Sequence, residues 1–396
     1  MHVSNRVNRV PSSPIRKLIP FAKVVEKTGI KIHYLNIGQP DIPTPPTFFE
    51  KIKQTNLSVL KYENSQGNAQ LIQTIQTYFK RDQIELEPDN IIITSGGSEA
   101  MRFALLTIAD PGDEILLPEP YYVSTGSLIK EGALQLVAFP TIEENKFHLP
   151  SFEVIEQFVS PKTKAIILTN PNNPTGTVYT KEEIKRVIDL AIKYDLFIIS
   201  DEVYRKLVFE GRDSISLGTY PEISNRLIIV DSVSKRYSSC GARIGCVISK
   251  NKEVMQSILK LAQSRLSVST IDQIGAIALY ELDEAYIAST KQEYEKRRQT
   301  VYEVLKNSKL HFTIPEGAFY MIITLPVSSS EDFAKWMLTD FSDKQETLLV
   351  APACDFYANP EKGKQQIRLA FVCASDELRR SIELLVMGVD AYQKCH

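Results

Sequence analysis

The chain has 396 residues, of which 43% are hydrophobic and 24% are charged, and its formal net charge at pH 7 is -2. This length is enough for two domains, and the composition is ordinary for a soluble globular protein. The small net charge and a pI near 6.3 give no reason to expect nucleic acid or an anionic membrane as a partner. Residues 1–14 are polar and no apolar run is long enough to span a membrane, so we expect a cytoplasmic protein.

The five cysteines indicate neither disulfides nor a metal. Their number is odd and no C-x-x-C pair occurs, whereas a disulfide framework needs pairs and a zinc site usually contains that motif. We therefore predict no metal site.

The first 40 residues form a polar arm, punctuated by prolines, followed by a short helical pattern and an alternating stretch at 33–37. That stretch ends at Gly38-Gln39-Pro40, where the prolines are too frequent for regular structure. A second connection contains Tyr62 and precedes a helix predicted over residues 69–81.

Strands and helices alternate between residues 91 and 247, which favours βαβ units and a mostly parallel, doubly wound sheet. The predicted strands are Ile91–Thr94, Glu114–Pro118, Gln135–Phe139, Lys164–Thr169, Leu196–Ser200, Leu227–Asp231 and Arg243–Ile248. Thr180 and Glu183 predict a capping box at the start of a helix over residues 181–194.

Beyond residue 250 the pattern changes to long helices, one of them spanning 271–305 with an interruption near Asp283. A strand over 366–371 and a closing helix over 375–391 complete a smaller α+β region. We predict an N-terminal segment (1–40) that packs with the small domain, a large domain (41–285) and a small C-terminal domain (286–396).

Four polar stretches follow predicted strands, at the sheet edge where open α/β proteins bind ligands. Glycines in Ser95-Gly96-Gly97-Ser98-Glu99 allow backbone N–H groups to close on a phosphate, and residues 170–176 supply side-chain amides. Asp201 supplies a carboxylate that can keep a pyridine nitrogen protonated, and Lys235 supplies an amine that can form an imine with an aldehyde.

In the order of these motifs the chain resembles the class I/II aminotransferases of the pyridoxal-phosphate (PLP) superfamily called fold type I, and specifically its aspartate aminotransferase-like members. The resemblance runs from Asn36 to Phe371. It implies that Lys235 binds the cofactor aldehyde, that Asp201 pairs with the pyridine nitrogen and that Tyr204 assists catalysis. The further cofactor contacts that it implies are Gly97, Ser98, Glu99, Ser232, Ser234 and Arg243 around the phosphate, Asn173 and Tyr204 at the ring hydroxyl, and Tyr122 stacked on the ring.

The same resemblance implies a homodimer with shared active sites, in which Tyr62 reaches the phosphate of the partner subunit. Gly38, Tyr122 and Asn173 would lie beside the substrate, and Arg368 would bind its α-carboxylate. The predicted reaction is amino transfer from an L-amino acid, with aspartate preferred, to a 2-oxo acid, with 2-oxoglutarate as the expected acceptor. Some bacterial aspartate enzymes of this type carry a lysine where this chain has Ser98. The candidate cation for a second carboxylate is therefore Arg265, which lies a few residues from where related enzymes bring an arginine across the dimer interface.

Several alternatives remain open at this stage. One alternative is that the amino donor is an aromatic or neutral amino acid. Another is that the enzyme is a C–S β-lyase or a cyclopropane-forming synthase, because the cofactor motifs do not specify which bond breaks. A non-enzymatic PLP-binding regulator would need a DNA-binding element, and a nicotinamide dehydrogenase would need a G-x-G-x-x-G motif after a strand; the sequence shows neither.

Overall fold

A computed structural model describes residues 2–11, 13, 15–213 and 215–395. Met1, Ser12 and Pro14, which belong to the predicted polar arm, lie outside the described residues. In chain order the strands are β1 Lys31–Tyr34, β2 Ile91–Thr94, β3 Glu114–Glu119, β4 Gln135–Pro140, β5 Thr163–Thr169, β6 Phe197–Asp201, β7 Leu227–Ser232, β8 Gly245–Ile248, β9 His311–Phe312, β10 Tyr320–Thr324, β11 Glu346–Leu349, β12 Ala351–Pro352 and β13 Gln366–Ala370. The α-helices are α1 Asn5–Asn8, α2 Ile19–Glu26, α3 Pro46–Lys53, α4 Ala69–Lys80, α5 Gly96–Ile108, α6 Val123–Glu131, α7 Phe152–Glu156, α8 Lys181–Lys193, α9 Lys252–Arg265, α10 Thr270–Tyr280, α11 Glu284–Leu305, α12 Ser330–Thr339 and α13 Ser375–Cys395.

The central sheet has seven strands in the order β2-β8-β7-β6-β5-β3-β4. Its neighbours are parallel except for β8, which runs antiparallel to both β2 and β7. Successive residues of one strand enter different cores: Ile91 and Ile93 belong to the core that includes residues of α4 and α8, whereas Ile92 belongs to the core that includes residues of α5 and α9. Burial on both faces explains the nearly continuous apolar runs, and it confirms the predicted doubly wound α/β architecture.

The predicted strands of this sheet are confirmed to within a residue or so, with one exception at the last of them. The sequence pattern predicts a strand from Arg243, but this is wrong, because Arg243 has φ 53° and the strand begins only at Gly245. The left-handed backbone lets the guanidinium turn back to donate to the carbonyls of Cys240 (3.1 Å) and Ser95 (3.3 Å).

The C-terminal part contains a second sheet with the order β12-β13-β10-β9, all of it antiparallel. Its apolar core also includes α2 and β1 from the N-terminal segment, and β1 pairs in parallel with β11. The predicted interruption near Asp283 is confirmed, because that residue is the N-cap of α11 and its carboxylate accepts from the N–H of Tyr286 (3.1 Å).

None of the helices in the described part of the chain combines the length and the apolar character that a membrane crossing needs. The same residues include no group of three His, Cys, Asp or Glu side chains that is suited to hold a metal ion.

Candidate active site

A cavity of about 160 Å³ opens where β5, β6 and β7 end and α5 begins. Parallel strands present their carboxyl ends at one edge, so the polar stretches that follow them meet there. Among the predicted site residues, those that line the cavity are Gly97, Ser98, Tyr122, Asn173, Asp201, Tyr204, Ser232, Ser234, Lys235 and Arg243.

One end of the cavity is suited to an anion. Gly97 and Ser98 form the first turn of α5, where backbone N–H groups lack helical partners. Gly96 has φ 74°, a left-handed conformation that favours glycine, and a Cβ there would lie 2.5 Å from the Arg243 guanidinium, which would have to move. The hydroxyls of Ser232 and Ser234 complete a donor set that matches a phosphate.

Asp201 ends β6 and has no cationic partner among the described ion pairs; its carboxylate accepts one long hydrogen bond, from the N–H of Val203 (3.3 Å). Burial raises the pKa of Asp201 to about 7, and the neighbouring Asp231 and Glu202 add to the rise. A carboxylate that faces a cavity and has no cation beside it is suited to bind a ligand with a positively charged nitrogen.

Next to this carboxylate, Tyr204 and Asn173 place a phenol and an amide on the same cavity wall. The Asn173 amide donates to the Tyr204 hydroxyl at 3.4 Å. Burial raises the pKa of Tyr204 well above its ordinary value, so the phenol stays protonated and is a hydrogen-bond donor.

Lys235 follows β7, and its ammonium donates to the Gly38 carbonyl (3.0 Å) with the Cys240 sulfur at 3.8 Å. The next residue, Arg236, points into the core and binds Asp231 through both terminal nitrogens, at 2.8 and 2.6 Å. This buried fork fixes the turn that carries the lysine, because two parallel charge-assisted bonds define both distance and orientation.

Arg368 projects from β13 and is only 1% exposed. Its terminal nitrogens donate to the Asn36 carbonyl (2.6 Å) and to the Asn173 amide oxygen (3.3 Å). Its Nε has no hydrogen-bond partner among the described residues. A buried guanidinium with a free N–H is suited to bind a carboxylate, since an unpaired buried donor costs free energy.

Two predicted site residues, Gly38 and Arg368, do not line the cavity themselves but contact the lining residues Lys235 and Asn173. Three others, Glu99, Arg265 and Tyr62, do not line it in the isolated chain either. Glu99 accepts from the N–H of Ser95 (2.7 Å) and pairs with Arg265 (3.2 Å). The remaining N–H groups of Arg265 donate to backbone carbonyls of its own chain. Tyr62 stands on the surface with 83% of its area exposed.

Sequence reasoning missed three residues of the site, Asn36, Tyr320 and Phe356. Both rings lie against the Arg368 guanidinium, with the ring centres 4.6 Å (Tyr320) and 5.2 Å (Phe356) from its central carbon. No strand-end motif marks these residues, and only the apolar run 317–323 indicated that Tyr320 would be buried.

The donor set fits pyridoxal phosphate group by group. The α5 N-terminus, the two serines and Arg243 suit the phosphate, Asp201 suits a protonated pyridine nitrogen, and a lysine amine suits the aldehyde. The phenol and amide suit the ring hydroxyl. The fold and the cavity together define a PLP-dependent enzyme of fold type I.

The family model described as "Aminotransferase class I and II" matches residues 30–383. The chain is 30% identical to the aspartate aminotransferase of Bacillus subtilis, over 99% of this chain and 100% of that protein. It is also 30% identical to aromatic-amino-acid aminotransferase 2 of Thermococcus litoralis, over 97% of each. The solved alanine aminotransferase of Pyrococcus furiosus superposes with a TM-score of 0.90 at 29% identity, over 98% of this chain and 100% of that one. The chain therefore belongs to the class I and II aminotransferases, and it is a PLP-dependent enzyme that acts on amino acids and 2-oxo acids.

Proposed function

We propose that this enzyme transfers the amino group of an L-amino acid, preferentially aspartate, to 2-oxoglutarate. The observation that carries the proposal is that Lys235, Asp201 and Asn173 line one cavity and that the Asn173 amide oxygen accepts from the buried Arg368 guanidinium. A lysine alone would support any imine chemistry, whereas a buried arginine with a free Nε adds recognition of an α-carboxylate.

Pyridoxal phosphate, when bound, supplies an aldehyde and an electron-withdrawing ring that stabilises negative charge at the substrate Cα. Lys235 would hold that aldehyde, and its amine would take the proton from the substrate Cα. Asp201 keeps the ring nitrogen protonated, and Tyr204 and Asn173 hold the ring hydroxyl. Arg368 fixes the α-carboxylate so that the Cα proton faces Lys235, which is a positioning contribution.

The arrangement supports one carboxylate more strongly than two. Ser98 stands where a lysine would supply a second positive charge, and the two arginines near the cavity, Arg243 and Arg368, are assigned to the phosphate and the α-carboxylate. The contacts of Arg265 with Glu99 and backbone carbonyls favour a structural role. The relatives named for aspartate support the aspartate assignment, and those named for aromatic amino acids and alanine mark the alternative donors.

A panel of donors tests this proposal. We expect 2-oxoglutarate-dependent turnover with kcat/KM for aspartate above that for glutamate, alanine and phenylalanine. A higher kcat/KM for alanine or phenylalanine would contradict the aspartate assignment. Release of ammonia with pyruvate from a sulfur amino acid, without amino transfer, would instead indicate the β-lyase alternative.

Arg265→Ala tests the second-carboxylate site. If Arg265 binds that carboxylate, kcat/KM for aspartate and glutamate should fall by roughly one to two decades, which corresponds to about 1.5–3 kcal/mol of lost transition-state stabilisation. The kcat/KM for alanine should be almost unaffected. An equal loss for every donor, or no loss, would remove Arg265 from the site.

We also propose a homodimer in which Tyr62 completes the phosphate site of the partner subunit. The stretch that carries Tyr62 is unusually apolar for a surface, with Leu57, Val59 and Leu60 each about half or more exposed. A contiguous exposed patch of this kind is typical of an interface. Thr270 holds the stretch by donating to the Lys61 carbonyl (3.3 Å).

The domain bounds 1–40, 41–285 and 286–396 are likewise proposed, and the pairing of β1 with β11 supports the assignment of the N-terminal segment to the small domain. The cytoplasmic location stays a prediction of the sequence.

A further inference from the structure

Tyr320 contacts two different parts of the site with one side chain. It begins β10, is 2% exposed, and lies on the strand that pairs with the strand of Arg368. Its ring centre is 4.6 Å from the Arg368 guanidinium carbon, and its hydroxyl is 3.0 Å from the hydroxyl of Tyr204. One residue therefore connects the arginine that would bind the substrate to the phenol that would bind the cofactor.

The main chain at Gly38 lies directly against the Tyr320 side chain. A Cβ at Gly38 would lie 1.8 Å from the Tyr320 hydroxyl, so the glycine is needed to let the phenol approach. The carbonyl of the same glycine accepts from the Lys235 amine at 3.0 Å. The phenol is thus packed against the segment that also contacts the lysine.

The hydrogen-bonding capacity of a hydroxyl decides what the contact with Tyr204 does. A phenol has one proton to donate and accepts through its oxygen lone pairs. The Tyr204 oxygen already accepts from the Asn173 amide at 3.4 Å. If Tyr320 also donates to it, the Tyr204 proton is left for the ligand in the cavity, and it becomes a stronger donor because linked hydrogen bonds polarise one another.

We infer that Tyr320 is a positioning residue that couples the carboxylate site at Arg368 to the phenol of Tyr204. Its ring holds the guanidinium, and its hydroxyl donates to Tyr204 so that the Tyr204 proton faces the cofactor ring oxygen. This inference rests on the proposed roles of Arg368 and Tyr204.

The chain offers a matched control for the two halves of this role. Phe356 lies 5.2 Å from the same guanidinium carbon and has no hydroxyl to offer Tyr204. Tyr320→Phe removes only the hydroxyl, Tyr320→Leu removes hydroxyl and ring, and Phe356→Leu removes a ring alone.

Two quantities are measured on each PLP-loaded protein. The first is the Kd of succinate, which has carboxylates but no amine to react. This Kd is measured from the change that succinate causes in the absorption of bound PLP. The second is the pH midpoint of that absorption without ligand.

We expect Tyr320→Leu and Phe356→Leu to weaken succinate binding by about threefold to thirtyfold, the range for loss of one cation–π contact. Tyr320→Phe should leave the Kd within about threefold of the wild-type value, since the ring stays. The pH midpoint should rise by about half a unit to one unit in both Tyr320 variants, because a weaker hydrogen bond from Tyr204 lets the cofactor hold its proton to higher pH. Phe356→Leu should leave that midpoint unchanged.

An unchanged midpoint in Tyr320→Phe, or an equal rise in Phe356→Leu, would overturn the inference. If Tyr320→Leu does not retain PLP, the comparison of Tyr320→Phe with Phe356→Leu still decides it. Failure of the wild-type protein itself to bind PLP or succinate would instead count against the proposed function.

Discussion

At the scale of single residues, the assignment of Lys235 is the one on which the chemistry depends. Because the groups suited to PLP are spread over several other stretches, Lys235→Ala should still bind PLP without a covalent bond, while turnover falls by about 10²–10⁴-fold or more. The absorption of the desalted protein measures bound PLP, borohydride reduction followed by mass spectrometry shows whether any of it is covalently attached, and a steady-state assay measures turnover. Residual turnover close to the wild-type rate would show that another group moves the proton.

Asp201→Asn separates binding from electronic activation. The amide retains a hydrogen bond to the ring nitrogen but does not favour the protonated nitrogen, so PLP should stay bound while the single-turnover rate falls by about 10²-fold or more. Stopped-flow absorption after mixing with an amino donor gives that rate. A near-normal rate would make Asp201 a structural residue.

The pKa of Asp201 adds a pH dependence to PLP binding. With an apo-protein pKa of about 7, this carboxyl gains a proton as the pH falls below 7 and then no longer attracts a protonated pyridine nitrogen. The PLP affinity of the apo-protein should therefore fall from pH 8 to pH 6, and Asp201→Asn should flatten that change. A wild-type affinity that is equally flat would contradict the assignment.

At the scale of elements, the sequence predicts most accurately what local chemistry determines. The capping box of α8 is confirmed, since the Thr180 side chain accepts from the Glu183 N–H (3.2 Å) and the Glu183 carboxylate accepts from the Thr180 N–H (2.7 Å). The strand-end motifs reach one cavity because each follows a buried strand of the same sheet. Their spacing in the chain therefore indicates their meeting in space.

Contacts between distant segments are not visible in the sequence. Glu183 also accepts from His148 (3.0 Å), and the other ring nitrogen of His148 is 3.4 Å from Glu316, far along the chain. Phe356 and Tyr320 reach Arg368 in the same way, through packing of the second sheet. No periodicity or cap marks such partners, because they depend on how whole elements pack.

The His148 cluster predicts how stability depends on pH. Hydrogen bonds that the imidazole donates to the carboxylates of Glu183 and, secondly, Glu316 raise the pKa of His148 to about 9, above the ordinary value near 6.5. A histidine with a raised folded-state pKa contributes its full stabilisation below pH 6.5 and loses it as the pH rises through 9. The free energy of unfolding of the wild-type protein should therefore fall by on the order of 1 kcal/mol between pH 6 and pH 9.5, once solvent screening is allowed for.

Urea unfolding midpoints at the two pH values measure this effect. His148→Gln should show a smaller difference between them than the wild type, whereas His311→Gln, at an exposed position on β9, should show the wild-type difference. An unchanged difference in His148→Gln would refute the assignment of the pH effect to this cluster.

At the scale of the whole molecule, the proposed dimer with shared sites predicts complementation between inactive subunits. In a hybrid dimer of one Lys235→Ala and one Tyr62→Phe subunit, both lesions fall on one site if Tyr62 serves the partner, and the other site is intact. Mixing the two variants under conditions of subunit exchange should restore activity above either parent, up to about half of the wild-type activity per hybrid. Activity no greater than that of the parents would contradict a shared site.

The central claim is that this chain moves an amino group through Lys235 and a bound cofactor, and a half-reaction tests it most directly. PLP-loaded protein is mixed with a panel of amino acids without an acceptor, and the absorption of the cofactor is followed. We predict stoichiometric conversion of the aldehyde form to the amine form, fastest with aspartate, reversal on adding 2-oxoglutarate, and no conversion in Lys235→Ala on the same time scale. Retention of the aldehyde form with every amino acid, or conversion that proceeds equally well in Lys235→Ala, would contradict the account.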